Sequence, residues 1–208
     1  MATPGDPLSL ANWRRTVAEL YAQIRREAAV DPAAAWRTFC ATRDELFRSH
    51  SQTPLDEAQR AGFSRLSYFD YDPAWRLVGR VETAVPRETL HGELGADGAL
   101  AYTRIAYIHF TVAGQPARLS LYWIEGYGGG LFLPFKDATN GQETYGGGRY
   151  LYDTIKGADL GAGSDEILLD FNFAYNPSCA YNPRWVCPLA PAENHLPIAV
   201  PAGEKNDA

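Results

Sequence analysis

Apolar residues at Leu10, Trp13, Val17, Leu20 and Ile24 recur at steps of three and four, with Arg14, Arg15, Arg25 and Arg26 between them. That spacing predicts an amphipathic helix of about four turns, over residues 8–30. Asp31-Pro32 reads as an N-cap followed by proline at the first helical position, opening a second helix over 32–48. Trp36, Phe39, Cys40, Arg43 and Phe47 share one face of it. The polar run Ser49-His50-Ser51-Gln52 is expected to be exposed. A short third helix over 54–61 is then capped by Thr53, opened by Pro54 and ended by Gly62.

From Leu66 the period changes. Segments 75–85, 88–94, 99–112 and 117–125 are rich in β-branched and aromatic residues, and Gly95-Ala96-Asp97-Gly98 and Gly114-Gln115 separate them as hairpin turns. Ala106, Ile108, Phe110 and Val112 alternate with Tyr107, His109 and Thr111, as a strand with two unlike faces requires. Tyr127-Gly128-Gly129-Gly130 returns as Tyr145-Gly146-Gly147-Gly148, which suggests two neighbouring strands that each start at a glycine bend. The last strand is placed at 166–173. Beyond it six prolines fall between Pro177 and Pro201, too many for a helix or a central strand. Tyr175, Tyr181, Trp185, Leu189, Leu196 and Ile198 make the same stretch too apolar for a free linker, so it is expected to wrap the sheet in extended form. The fold class is therefore mainly β (α+β): an antiparallel barrel or roll with an N-terminal helical cap and an extended Pro-rich C-terminal wrap. One domain spans 1–208, with the cap at 1–62, the β-structure at 63–174 and the wrap at 175–208. Disorder is expected only in the first eight residues and in 203–208.

Composition narrows the function classes. The 208 residues are 46% hydrophobic and 21% charged, which is ordinary globular usage. The net charge of −6 comes entirely from the region after residue 62, an acidic balance that argues against a nucleic-acid partner. No run is apolar enough to span a membrane, and Met1-Ala2-Thr3-Pro4-Gly5-Asp6-Pro7 lacks the basic and apolar regions of a signal peptide. The expected location is cytoplasmic, with Cys40, Cys179 and Cys187 as reduced thiols.

Chemistry-bearing residues crowd into 143–194. In Glu143-Thr144-Tyr145-Gly146-Gly147-Gly148-Arg149-Tyr150, the glycines let backbone N–H groups approach a ligand and Arg149 can clamp a carboxylate or phosphate. The architectural alternative is a glycine bulge with Arg149 paired to a carboxylate of the domain. In Leu169-Asp170-Phe171-Asn172, a strand puts Asp170 and Asn172 on one face and Phe171 on the other. Asp170 is then either a general base or arginine partner, or, with Asn176, a tie for turn backbone. Cys179 and Cys187, with His195 beyond them, leave a metal site, a reactive thiol or disulfide, and simple packing all open, although the spacing is poor for zinc. No phosphate-binding loop, dinucleotide fingerprint, nucleophile elbow or C-x-x-C motif is present, so no metal and no cofactor is expected.

The block 143–151, Leu169-Asp170-Phe171-Asn172, Ala174-Tyr175-Asn176-Pro177, Cys179-Ala180-Tyr181-Asn182-Pro183-Arg184, Cys187-Pro188-Leu189, Glu193-Asn194 and Gly203-Glu204-Lys205 resemble the bacterial and archaeal family called domain of unknown function 1684. Ser49-His50, Pro54-Leu55 and the segment 66–69 resemble its earlier blocks. The resemblance brings no activity with it. Phe173 and His195 stand where the family pattern has basic or polar residues; if those positions meet ligand, this chain takes a different or less acidic one.

Three functions fit these residues. The first is a metal-independent enzyme acting on a small polar or anionic molecule by acid–base chemistry. Glu143, Tyr145, Asp170 and Tyr181 would be catalytic, while Gly146, Gly147, Gly148, Arg149, Asn172 and Asn176 hold substrate. Glu143, Tyr145, Arg149, Asp170, Asn172, Asn176 and Tyr181 are then expected to converge on one cavity, where Arg149 holds an anionic substrate group or a carboxylate such as Asp170 in bidentate geometry. The competing outcome is a closed, solvent-excluded Arg149–Asp170 ion pair. The second is a binding module with the same pocket and no turnover. The third is a structural or partner-binding domain whose motif residues knit the wrap to the sheet.

Overall fold

The computed structural model describes residues 6–95 and 98–206. The expected turn residues Ala96 and Asp97, the chain start 1–5 and residues 207–208 lie outside them. Helix α1 (Pro7–Glu27) is capped by Asp6, whose carboxylate accepts from the Leu8 and Ser9 amides. It therefore begins inside the stretch expected to be disordered. Helix α2 (Pro32–Ser49) is capped by Asp31 through the Ala34 amide. Tyr21 meets Phe39 and Trp13 meets Phe47, so the two helices run antiparallel. Helix α3 (Glu57–Gly62) starts later than the sequence suggested. Asp56 and Gln59 form a capping box, and Thr53 is buried with its hydroxyl accepting from Leu55 instead.

Among the described residues seven strands follow: β1 (Arg76–Glu82), β2 (Thr89–Glu93), β3 (Ala99–Val112), β4 (Gln115–Ile124), β5 (Gly130–Phe135), β6 (Arg149–Asp153) and β7 (Glu166–Asp170). Every pairing is antiparallel, in the order β6-β5-β4-β3-β1-β7, with β2 also on β3. β1 and β2 share one edge of the long β3, which pairs with β1 through Ile108 and with β2 through Tyr102. The β3–β4 hairpin turns on Ala113-Gly114, one residue earlier than expected. Val112 pairs with Gln115, and both turn residues have positive φ. β5 and β6 are neighbours and each begins at a glycine bend, as their sequence echo implied. The last strand ends at Asp170, because that side chain caps a single 3-10 turn over Phe171–Phe173.

The sheet curls into a half-barrel, and its two edges approach each other. Tyr152 on β6 donates its hydroxyl to Leu168 O on β7, and Tyr150 and Tyr175 exchange backbone hydrogen bonds of 2.9 and 3.1 Å. Helices α1 and α2 cover the curl. Leu20, Ile24 and Phe39 join Ile108, Leu119, Leu133, Leu169 and Phe173 in one apolar cluster. No helix among the described residues is long and apolar enough to cross a membrane.

The Pro-rich segment does wrap the sheet. Lys136 and Leu196 pair backbones, Ala138 N donates to Ile198 O, and Leu196, Val200 and Ala202 are buried. Each large apolar side chain so buried contributes about 1.5–3 kcal/mol. Asn194 crosses to the sheet, bonding Ser120 on both sides and taking up the carbonyl of Pro134 at the β5 bulge. Leu189, by contrast, is exposed. The segment beginning at Gly203 was expected to be loose, yet Gly203 and Glu204 are buried.

Candidate functional site

Helix α2 turns Arg43 inward along its apolar stripe, where the guanidinium lies about 5.3 Å from the Phe39 and Phe47 ring centroids and 5.1 Å from that of Tyr175. Its Nη2 donates to Glu204 Oε2 at 2.7 Å and its Nε to the Tyr68 hydroxyl at 3.0 Å. Glu204 is 1% exposed and also accepts from the Tyr181 hydroxyl and the Asn176 amide. Glycine makes this approach possible. Gly203 has φ 78°, and a Cβ there would stand 2.6 Å from Ala174 O and 2.7 Å from Phe171 O. Burial pushes the Tyr181 hydroxyl well up and the Glu204 charge adds to it, so Tyr181 keeps its proton and donates it to the carboxylate. Burial opposes the Arg43 charge, but Tyr68, Glu204 and Tyr181 outweigh it and hold the guanidinium protonated.

Beside this cluster, between α3 with the residues after it and the strap 176–206, opens a cleft of about 590 Å³. Gln59, Ser64, Arg65, Asn176, Tyr181 and Asn206 give it polar walls. Asn176 is 5% exposed; its Nδ2 donates to Lys205 O, and its Oδ1 is buried with no partner among the described residues. Glu143 is exposed, and its carbonyl accepts from the Asn206 amide at the rim. Asn176 and Tyr181 are thus brought to one cleft, and Glu143 meets its rim through the backbone alone.

The remaining expected site residues go elsewhere. Arg149 is fully buried, its Nη2 donating to Asp137 Oδ2 and Val200 O at 2.9 Å and its Nη1 to the carbonyls of Ala202 and Glu204. Arg149 and Asp170 do not pair in either of the ways the sequence allowed, and strand register explains why. Phe135 pairs with Arg149, which brings Asp137 just beyond β5 within reach, whereas Asp170 lies opposite Arg76 and bonds it at 2.9 Å. Asn172 sits in the 3-10 turn, not on a strand face with Asp170. It donates to Asp170 Oδ1 and bonds the Asp72 backbone in both directions. The seven residues expected to converge therefore divide among separate clusters. Phe173 is core, against Phe39, and His195 is exposed beside Lys136.

Two of the three glycines accommodate protein, not open space. A Cβ on Gly148 would stand 2.6 Å from Phe135 O, and one on Gly147 2.3 Å from the Tyr145 ring. The ring folded over Gly147 aims the Tyr145 hydroxyl at Cys179 Sγ, 3.5 Å away. The Cys179 amide in turn donates to Cys187 Sγ at 3.4 Å, and all three cysteines are free thiols.

The sequence model of one protein family matches residues 61–205. The chain belongs to that family, described as Protein of unknown function (DUF1684). Among solved structures, the chain is similar to the solution NMR structure of an uncharacterized protein from Haloarcula marismortui. The two are 37% identical with a TM-score of 0.63, over 86% of this chain and 96% of that one. No curated protein matches. The DUF1684 span holds Tyr145, Asn176, Cys179, Tyr181, Cys187 and Glu204, while Arg43 lies outside it. Sequence reasoning missed Arg65 and Asn206 in the cleft wall, and behind it Arg43 and Glu204. For the last two a signal can be named. An arginine on an apolar helix face was a usable signal for the first; for the second there was only the Gly203-Glu204-Lys205 block of the DUF1684 resemblance.

Proposed function

We propose that the chain binds a small polar or anionic molecule in the cleft lined by Arg65, Asn176, Tyr181 and Asn206, and handles its protons through the Tyr181–Glu204 pair. The carrying observation is the unpartnered Asn176 Oδ1. A buried acceptor left unsatisfied costs about 1–3 kcal/mol, which a ligand N–H or O–H would recover. The cleft is within the usual size range of small-ligand sites and opens beside a buried Arg–carboxylate–tyrosine set. Arg65 supplies positive charge at the rim, and Tyr181 is the wall residue whose hydroxyl is coupled to a carboxylate. In this reading Glu204, held ionised by Arg43, is the base: Tyr181 passes its hydroxyl proton to the carboxylate and takes one from the ligand in its place. The chemistry proposed uses side chains alone; among the described residues no group of three His, Cys, Asp or Glu is placed to hold a metal.

A second, architectural reading draws on a different observation. Glu204 already accepts from Arg43, Tyr181 and Asn176, as a clamp of the strap onto α2 would. One experiment separates the two. Native mass spectrometry of the purified protein, followed by melting with a panel of small carboxylates, amides and phosphates, should find a compound that raises Tm. Asn176→Ala should abolish that rise while staying folded, and Tyr181→Phe should keep binding and lose turnover. A wild-type protein that no compound stabilises leaves only the clamp.

A further inference from the structure

The stretch that presents Tyr181 to the cleft carries a second constellation on its flanks. Cys179 and Cys187 are eight positions apart, yet the chain folds back so that the Cys179 amide reaches Cys187 Sγ at 3.4 Å. A second donor arrives from outside the loop, the Tyr145 hydroxyl held over Gly147 and aimed at Cys179 Sγ. Cys179 and Cys187 are both partly exposed residues. We propose that Cys179 and Cys187 are a redox-active dithiol, in which Cys179 attacks a low-molecular-weight disulfide and Cys187 resolves the product.

The Tyr145 hydroxyl, which donates to Cys179, assigns the roles. The neighbouring Cys187 thiol, that hydroxyl and the positive charge of Lys156 pull the Cys179 thiol down to about 6 against the opposing effect of burial. Cys187 is pushed the other way, first by the neighbouring Cys179 and then by burial, so it waits as the thiol. In the first step the Cys179 thiolate forms a bond to one sulfur of a disulfide RSSR, the S–S bond breaks, and RS⁻ leaves. Cys187 then gives its proton to the released thiolate and attacks the Cys179 sulfur, expelling the second RS⁻, which takes a proton from water. The protein dithiol has lost two electrons and two protons, and the disulfide has become two thiols. The bridge would tether the 179–187 loop at both ends, and with it Tyr181 in the cleft wall.

The test uses the full chain in glutathione redox buffers, with thiols trapped by iodoacetamide and located by peptide mapping. Oxidised glutathione should give a Cys179–Cys187 disulfide, and Cys187→Ser should stop at a glutathione adduct on Cys179. Near neutral pH, iodoacetamide should modify Cys179 at least about ten times faster than Cys40, whose thiol burial pushes up to about 12. The Cys179 rate should rise with a midpoint near pH 6, and Tyr145→Phe should move that midpoint upward. The proposal is overturned if no 179–187 bridge forms at any glutathione ratio, or if Cys179 reacts no faster than Cys40. Both readouts come from the wild type, so neither depends on a variant that folds.

Discussion

Two arginines of this molecule, the buried Arg149 and the partly buried Arg43, each hold one carboxylate, and they differ in what else surrounds them. Arg149 and Asp137 are both fully buried, and the other donors of the two Nη atoms end on the carbonyls of Val200, Ala202 and Glu204, while Nε has no partner among the described residues. Arg43, with 13% of its side chain exposed, ends on two tyrosine hydroxyls and a glutamate beside a polar cleft. Backbone carbonyls neither move nor exchange protons, so the first pair can only fix the strap to β6. Hydroxyls do both. An arginine in a family motif is therefore weaker evidence of a site than the chemical kind of its partners.

The largest expected effect breaks the sealed pair. Arg149→Ala leaves Asp137 buried without its counter-charge and three carbonyls without a donor, a loss of about 3–5 kcal/mol. Urea unfolding should show most of the stability gone, or no soluble protein at all. A variant within about 1 kcal/mol of wild type would remove the contrast drawn above. Glu204→Gln should cost less, about 1.5–3 kcal/mol, because glutamine keeps the shape and one acceptor for Arg43 while giving up the charge. It should fold and lose ligand-induced stabilisation. If it unfolds as readily as Arg149→Ala, both pairs are architectural.

A third pair sharpens the comparison by its pH dependence. Burial pushes the Asp170 carboxyl up, and the hydrogen bonds from Asn172 and Arg76 only partly restore it. A raised folded value means that the folded state binds this proton more readily than the unfolded chain does. Stability from Asp170 is then complete below the ordinary carboxylate value and is lost as pH rises through the raised one. Relative to Asp170→Asn, wild type should gain stability as pH falls across that window. Denaturant midpoints of both proteins measured through mildly acidic pH read this difference. The opposite slope would mean that Arg76 dominates and that the carboxylate is a well-paired anion.

Much of the fold was legible because its causes are local. Asp31-Pro32 starts a helix, and alternation from Ala106 to Val112 makes a strand, whatever lies elsewhere in the chain. The error at α3 was also local, since Thr53-Pro54 imitates a start that Asp56 and Gln59 actually make. The site was less legible because its partners meet only through register and wrapping. Nothing near Arg149 in sequence distinguishes Asp137 from Asp170, and only the β5–β6 pairing decides between them. Glu204, in a short polar run, carried the composition of a loose segment, and its burial depends on an arginine 161 positions away.

That separation has a consequence for synthesis. Chains begin to fold as they are made, N-terminal parts first. During that interval α2 carries a guanidinium in the middle of the face it will bury, with its carboxylate not yet made. An unpaired charge strongly resists leaving water. The helical cap is thus discouraged from docking tightly on an unfinished sheet, and the arrival of Glu204 releases that brake, tying closure of the core to completion of the strap.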